Sequence, residues 1–191
     1  MGARRGDNMN ILILSDLHNQ KEFPIVEEID LLLLLGDIPW QTVAKIDEAY
    51  DCQKFGVLGN HDRWDTYRNT NIQNIHASVV EWNGLKLAGF GGAPRYNWKE
   101  DGQYEEDECA IFMHSLEKVD LFLAHSNPAF KPTNGSREGH RGFESFGRYI
   151  KEKQPRLFFH GHLHERYEIQ YKETIIHSIY LSKEMSIIDP S

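Results

Sequence analysis

The chain has 191 residues, of which 26% are charged, and a formal net charge of −8 with its ten histidines counted as neutral. A hydrophobic fraction of 40%, with 12% aromatic residues, is sufficient for a packed core and excludes a wholly disordered chain. The acidic balance excludes a protein that holds long nucleic acids mainly through charge, and two cysteines are too few for a disulfide scaffold.

The length predicts one domain, which we place over residues 10–191, after a possible flexible extension over residues 1–9. The extension is polar and lacks the apolar segment of a secretory signal. No apolar run approaches the ~18 residues needed to span a bilayer. We therefore expect a cytoplasmic protein with no membrane partner, and the sequence leaves its oligomeric state open.

Five short apolar runs along the chain are typical of strands that are buried on both faces. They are Asn10–Leu14, Leu31–Leu35, Phe55–Leu58, Leu121–Ala124 and Leu157–Phe159. Polar and amphipathic stretches separate them over residues 22–30, 41–54, 104–118 and 139–153, and the last two of these are predicted to be helices. This alternation indicates an α/β protein.

Three further segments predict antiparallel structure. Residues 79–90 contain Asn83-Gly84 between apolar stretches, which is a strong hairpin signal, and residues 167–180 hold two β-rich runs around Lys172-Glu173. Met185–Ile188 is predicted to be a closing strand. Two long segments, 93–106 and 126–142, are predicted to be loops, and long loops in a compact domain often carry function.

Side chains that bind metals follow each of the five apolar runs. The candidate ligands are Asp16, His18, Asp37, Asn60, His125, His162 and His164. Because ligands of open α/β sheets gather at the carboxyl ends of strands, we expect these side chains to converge at one edge. In an extended chain, residues two apart point to the same side, which would bring together Asp16 with His18 and His162 with His164. Carboxylate, amide and imidazole groups without cysteine favour divalent metals of the hard to borderline class.

Seven donors are too many for one four-coordinate ion and suit two ions. A carboxylate oxygen of Asp37 could bridge such a pair, since ions in two-metal sites lie ~3.5–4 Å apart.

The order of these motifs resembles the calcineurin-like metallophosphoesterase superfamily. The matching residues are Asp16-x-His18, Gly36-Asp37, Gly59-Asn60-His61-Asp62, His125 and Gly161-His162-x-His164, which span residues 11–164. The resemblance implies a four-layer αββα sandwich with two mixed β-sheets flanked by helices. It implies that Asp16, His18 and His164 hold the first metal and that Asn60, His125 and His162 hold the second, with Asp37 bridging. His61 would be the acid for the leaving group, and Asp62 would orient His61 or the local turn.

The same resemblance implies hydrolysis of a phosphate ester by a hydroxide that bridges two divalent ions. We expect manganese, with iron, zinc, nickel or cobalt as alternatives, and a small phosphodiester or nucleotide as the substrate. Gly36-Asp37 lacks the Asp-Arg-Gly continuation of the Ser/Thr protein phosphatases, which disfavours a phosphoprotein substrate. The alternatives are a phosphomonoesterase of the same fold and a non-catalytic scaffold subunit, and the presence of His61 and all seven ligand positions favours catalysis over the scaffold.

Substrate contacts are predicted on the second long loop. Arg137, His140 and Arg141 could bind a phosphate group, although a solvated basic turn explains them equally well. Three aromatic residues could stack on a nucleobase or instead pack over the points where the loops leave the fold: Trp40, Tyr96 and Trp98.

Overall fold

The computed structural model describes residues 8–20, 22–98, 101–129 and 138–188. The strands are β1 (Asn8–Ser15), β2 (Leu31–Leu34), β3 (Gln53–Gly56), β4 (Gln73–Asn74), β5 (Ser78–Trp82), β6 (Leu85–Phe90), β7 (Ala93–Pro94), β8 (Gln103–Tyr104), β9 (Leu121–Ala124), β10 (Leu157–His160), β11 (Tyr167–Tyr171), β12 (Thr174–Ser178) and β13 (Leu181–Ile188). The helices are α1 (Trp40–Ala49), α2 (Glu106–Ser115) and α3 (Glu144–Lys153), and a short 3-10 helix covers Glu138–His140. Over these described ranges, the helices are too short or too polar to cross a membrane.

Two mixed sheets form the centre of the molecule. The first has the strand order β13-β1-β2-β3-β4, in which only the β13–β1 pair is antiparallel. The second has the order β11-β12-β10-β9-β6-β5, with antiparallel pairs at both ends and parallel pairs between them. Strands β7 and β8 form a separate parallel pair.

Alternation of buried side chains along the central strands separates three apolar cores. In β1, Ile11 and Ile13 pack between the two sheets, whereas Leu12 and Leu14 pack toward α1. On the other side, Phe122 and Phe158 of the second sheet pack against α2 and α3. The layers therefore run helix, sheet, sheet, helices, which confirms the predicted four-layer αββα sandwich.

Most predicted elements are present with shifted bounds. Both hairpins form, and Asn83 and Gly84 occupy the left-handed region that their turn requires, with φ of 46° and 73°. Strand β1 begins at Asn8, inside the segment that the sequence assigned to an extension, because its ladder with β13 starts there. Strand β3 ends at Gly56 rather than Leu58.

The carboxyl ends of the parallel strands of both sheets meet at one edge. The amide of Gly161, after β10, donates to the carbonyl of His125 at 2.9 Å, and the His125 ring lies 2.8 Å from the Leu35 carbonyl after β2. The two sheets therefore contribute to a single site.

Candidate metal centre

The candidate ligands lie on tight turns that follow the strands. Five of them have left-handed backbone conformations, with φ between 38° and 68°: Asp16, His18, Asp37, His162 and His164. Such conformations cost residues other than glycine of order 1–3 kcal/mol each and cluster at functional sites. The convergence of Asp16 and His18 is therefore produced by a turn, and the extended geometry predicted for this pair and for His162 with His164 is wrong.

Asp16, His18 and His164 form the first cluster. The Nε2 atoms of the two histidines lie 2.8 Å apart, and Asp16 Oδ1 lies 3.3 Å from that of His164 and 3.8 Å from that of His18. Asp16 Oδ2 accepts hydrogen bonds from Ser15 Oγ at 2.5 Å and from the His162 amide at 2.9 Å. Asp16 Oδ1 is buried and has no hydrogen-bond donor among the described residues. A carboxylate oxygen in this state beside two imidazole nitrogens fits a cation.

Asp37, Asn60 and His125 form the second cluster. His125 Nδ1 lies 2.8 Å from the Leu35 carbonyl, which can only accept, so this nitrogen donates and Nε2 faces the cluster. His125 Nε2 lies 2.9 Å from Asn60 Oδ1 and 3.5 Å from Asp37 Oδ2. Because oxygen and nitrogen lone pairs converge there, either a proton or a metal cation must lie between them.

Two hydrogen bonds from neighbouring loops orient this second cluster. The Asn60 Nδ2 group donates to Tyr96 Oη at 3.0 Å, which turns the amide oxygen toward His125. His162 Nε2 lies 2.7 Å from the Gly139 carbonyl, so Nε2 donates and Nδ1 keeps its lone pair for a ligand. The rings of His125 and His162 are 4.9 Å apart between centroids.

The pKa shifts of the ligand residues have identifiable causes. Burial raises the pKa of Asp16, but the close contact with His164 and the charge of His125 outweigh burial and lower the pKa to about 2. Burial and the neighbouring His125 lower the pKa of His162 to about 3. An ionised carboxylate and a neutral imidazole are the forms that bind metals.

The ionisable ligand atoms of the two clusters lie close enough together to share metal ions. The ligand atoms of Asp16, His18 and His164 all lie within 4.8 Å of one another, as do those of Asp16, Asp37 and His125. The residues present therefore fit a pair of divalent ions in which the two clusters are adjacent.

His61 and Asp62 follow Asn60 but lie in different surroundings. The His61 side chain is exposed, its ring centroid is 5.8 Å from that of His18, and its amide donates to Asp37 Oδ1 at 2.8 Å. Asp62 is buried and accepts hydrogen bonds from the amides of Asp37, Ile38 and Gly59 at 2.7–3.1 Å. Burial and the charge of Asp37 raise the pKa of Asp62 to about 6. The hydrogen bonds of Asp62 thus hold the backbone of the turn, and none of those described joins it to the ring of His61.

The structure separates the three residues predicted to bind substrate. His140 packs its ring edge-on to His162, with centroids 4.8 Å apart. Arg141 is exposed and lines a different cavity of about 580 Å³ with Glu106 and Arg148, whose lining includes none of the candidate ligands. Arg137 lies outside the described residues.

Some contributors to this site escaped the sequence analysis. The sequence predicts stacking on a base or covering of the loops for Tyr96 and no hydrogen bond to a ligand residue, and the carbonyls of Leu35 and Gly139 have no side-chain signal. Ser15 stands directly before Asp16, and its hydroxyl was the one contributor that the sequence could have indicated.

Comparison with known proteins gives one family match and several relatives. Residues 9–179 match the calcineurin-like phosphoesterase superfamily domain. An uncharacterized protein of Haemophilus influenzae is 25% identical over 85% of this chain and 86% of its own length. A protein of Pseudoalteromonas sp. named as a probable cyclic nucleotide phosphodiesterase is 26% identical over 67% of this chain, and the match spans 50% of that relative.

Solved structures share the fold. The phosphopantetheinyl hydrolase PptH from Mycobacterium tuberculosis superposes with a TM-score of 0.61 over 92% of this chain and 91% of that protein, at 12% identity. Since the family match covers most of the chain, the protein belongs to the calcineurin-like phosphoesterase superfamily of metal-dependent phosphate ester hydrolases.

Proposed function

We propose that this protein is a two-metal phosphoesterase that hydrolyses a small phosphodiester or a nucleotide. The observation that carries the proposal is the convergence of lone pairs in two adjacent clusters, where Asp16 Oδ1 has no donor among the described residues and His125 Nε2 faces Asn60 Oδ1. Neither arrangement is stable unless a positive charge lies between the atoms that carry these lone pairs.

In this proposal each cluster holds one ion. Asp16, His18 and His164 hold the first ion, and Asn60, His125 and His162 hold the second. Asp37 is shared, because it lies beside both Asp16 and His125. Two divalent ions supply the reaction with an activated water and with charge that neutralises the phosphoryl oxygens. We propose manganese as the metal, with iron, zinc, nickel or cobalt as alternatives for the same donor set.

The proposed role of His61 is to donate a proton to the leaving oxygen. Its ring is exposed beside the first cluster, and the hydrogen bond from its amide to Asp37 fixes the backbone from which the ring projects. An imidazole changes its protonation near neutral pH, which suits a general acid. Asp62 supports this position through the three amides that it holds.

A small phosphodiester is the preferred substrate class because of the name of the Pseudoalteromonas relative. A phosphomonoesterase with the same residues is the alternative. The two free cysteines, Cys52 and Cys109, are consistent with the cytoplasmic location that we propose.

The test is metal-dependent turnover of paired model substrates. Protein stripped by a chelator is titrated with Mn²⁺, and hydrolysis of p-nitrophenyl phosphate is compared with that of bis(p-nitrophenyl) phosphate. We expect Mn²⁺-dependent turnover with a higher kcat/KM for the diester, and an Asp37→Asn variant that loses both metal and activity. A preference for the monoester would support the alternative enzyme. No turnover of either compound with manganese, iron or nickel would leave the scaffold subunit as the better explanation.

A further inference from the structure

A groove of about 500 Å³ lies beside the turn that carries His61. Its lining combines one indole, two guanidinium groups and small polar side chains: Trp40, Arg63, Asp65, Thr66, Arg68 and Thr70. We refer to it as the Trp40 groove. None of the candidate metal ligands lines it.

Hydrogen bonds to Asp62 connect the chain segments that line this groove with the turn at the metal centre. Its carboxylate accepts the amides of Ile38 and Gly59, which fastens the segment before α1 to the turn that holds His61. Trp40 begins α1 two residues after Ile38, and Arg63 follows His61 by two residues. Two residues span at most about 7 Å, so the groove begins within reach of a group bonded to the reacting phosphate.

The chemistry of the groove suits an aromatic group that carries hydrogen-bond acceptors. Trp40 is 56% exposed, which leaves an apolar face open to solvent. Arg63 pairs with Asp65 at 3.0 Å, whereas the Arg68 guanidinium forms no ion pair or hydrogen bond within the described residues. Two guanidinium groups against one carboxylate make the groove locally positive in a chain whose net charge is −8.

Other exposed tryptophans lack this combination. Trp64 is 72% exposed but lines a cavity of about 250 Å³ together with two carboxylates, Asp62 and Asp101, and with no arginine. Trp98 is fully exposed and lines none of the cavities described here. An aromatic ligand with hydrogen-bond acceptors is therefore favoured at Trp40 over both.

We propose that the Trp40 groove binds the base of a nucleotide whose phosphate lies at the metal centre. The base stacks on the indole, and Arg68 donates hydrogen bonds to the base or to the ribose oxygens. The inference rests on the proposed function and specifies it: the substrate is a phosphate ester of a nucleoside, and the nucleoside lies on the side of His61, where the leaving group departs.

The test compares two ligands that differ only in the base. Binding of adenosine 5′-monophosphate and of ribose 5-phosphate to the Mn²⁺-loaded protein is measured by titration calorimetry, which does not require turnover. We expect the nucleotide to bind about tenfold more tightly than ribose 5-phosphate, since base–aromatic stacking has this magnitude. The Trp40→Ala variant should lose this advantage and retain its affinity for ribose 5-phosphate, and Trp40→Phe should keep part of it.

Trp98→Ala is the matched control, because it removes another exposed indole outside the groove, and it should leave the advantage unchanged. The proposal is overturned if the two ligands bind equally well to the wild type, or if Trp40→Ala retains the advantage. It is also overturned if Trp98→Ala loses the advantage instead. Failure of the proposed function is a separate result. A protein without turnover that still shows a Trp40-dependent preference for the nucleotide would support binding in the Trp40 groove and contradict only the proposed catalytic activity.

Discussion

Single hydrogen bonds decide which atoms of the ligand residues face the metal centre. The Leu35 carbonyl holds one nitrogen of His125, and the Gly139 carbonyl holds one nitrogen of His162. Each bond selects a tautomer and leaves the other ring nitrogen with a lone pair. The same logic applies to Asn60, whose amide nitrogen donates to Tyr96 Oη while its amide oxygen faces His125.

The hydroxyl of Tyr96 gives the first prediction. Tyr96→Phe removes a hydrogen-bond acceptor that orients the Asn60 amide, so we expect the affinity for the second Mn²⁺ to fall about 10–100-fold while the first ion binds as before. Calorimetric titration and the loss of spin coupling between two Mn²⁺ ions would report this change. Tyr104→Phe is the control, because Tyr104 stacks on His76 through its ring. Equal affinity for both ions in Tyr96→Phe and wild type would contradict the role of Tyr96.

His61 gives a second prediction at the same scale. His61→Ala should lower kcat about 100-fold or more on an alkyl phosphodiester, whose leaving group needs a proton, and much less on a p-nitrophenyl ester. The metal content should stay at two ions, because none of the cluster distances involves the His61 ring. His114→Ala is the control for an exposed histidine on α2. An unchanged rate on the alkyl ester would show that another group supplies the proton.

At the scale of elements, α3 depends on a side chain from α2. Its N-cap residue, Phe143, has no side-chain acceptor, and the Glu106 carboxylate accepts the amides of Glu144 and Ser145 at 3.0 and 2.7 Å instead. The helix that follows the His140 segment is thus fixed to α2 by its first turn.

Glu106→Ala should therefore lower the free energy of unfolding by about 1–2 kcal/mol, as the loss of a helix cap does. Asp107→Ala removes the same charge from an exposed position in the same turn and should cost only a few tenths of a kcal/mol. Urea denaturation of the two variants gives the comparison. Equal destabilisation would show that Glu106 acts through charge alone and not as a cap.

The sequence predicted the strands and turns that depend on residues close together in the chain. Continuous apolar runs identified the central strands, and Asn83-Gly84 identified a hairpin whose turn needs positive φ. Helix α1 was not assigned, because Pro39 offers no capping side chain and its first turn has no acidic residue. Contacts such as Asn60 to Tyr96, 36 residues apart, depend on the packing of loops and have no local signal.

At the scale of the whole molecule, His177 links the two sheets. This buried residue of β12 lies 3.1 Å from Lys183 on β13, and 3.2 Å from Glu168 on β11. Burial and the charge of Lys183 lower the pKa of His177 to about 4, although Glu168 opposes them.

Because the folded pKa lies below the ordinary value of 6.5, the unfolded chain binds the proton more tightly. The free energy of unfolding should therefore fall as the pH is lowered from about 6.5 to about 4. His177→Gln cannot take up this proton, so its stability should fall less steeply over the same range. Denaturant titrations at several pH values, with chelator present, measure both slopes. Identical slopes would show that His177 does not contribute.

Chelation gives a prediction for the whole fold. At a metal concentration 100-fold above Kd, binding adds about 2.7 kcal/mol of stability per ion, which corresponds to roughly 5–10 °C in Tm for a chain of this size. Calorimetric scans with and without chelator measure the shift, and Asp37→Asn should show little of it. No shift in the wild type would mean that the clusters do not bind metal in solution.

The origin of the ligands in both sheets has a mechanical consequence. Asp16, Asp37 and Asn60 follow strands of the first sheet, and His125 and His162 follow strands of the second. An ion held by Asn60 and His125 would therefore connect the two sheets directly, in addition to contacts such as the hydrogen bond from the Gly92 amide to the Leu58 carbonyl at 2.7 Å. Loss of the ions should loosen the contact between the two sheets first, with faster amide exchange at the ends of β2 and β10 than at the outer strands.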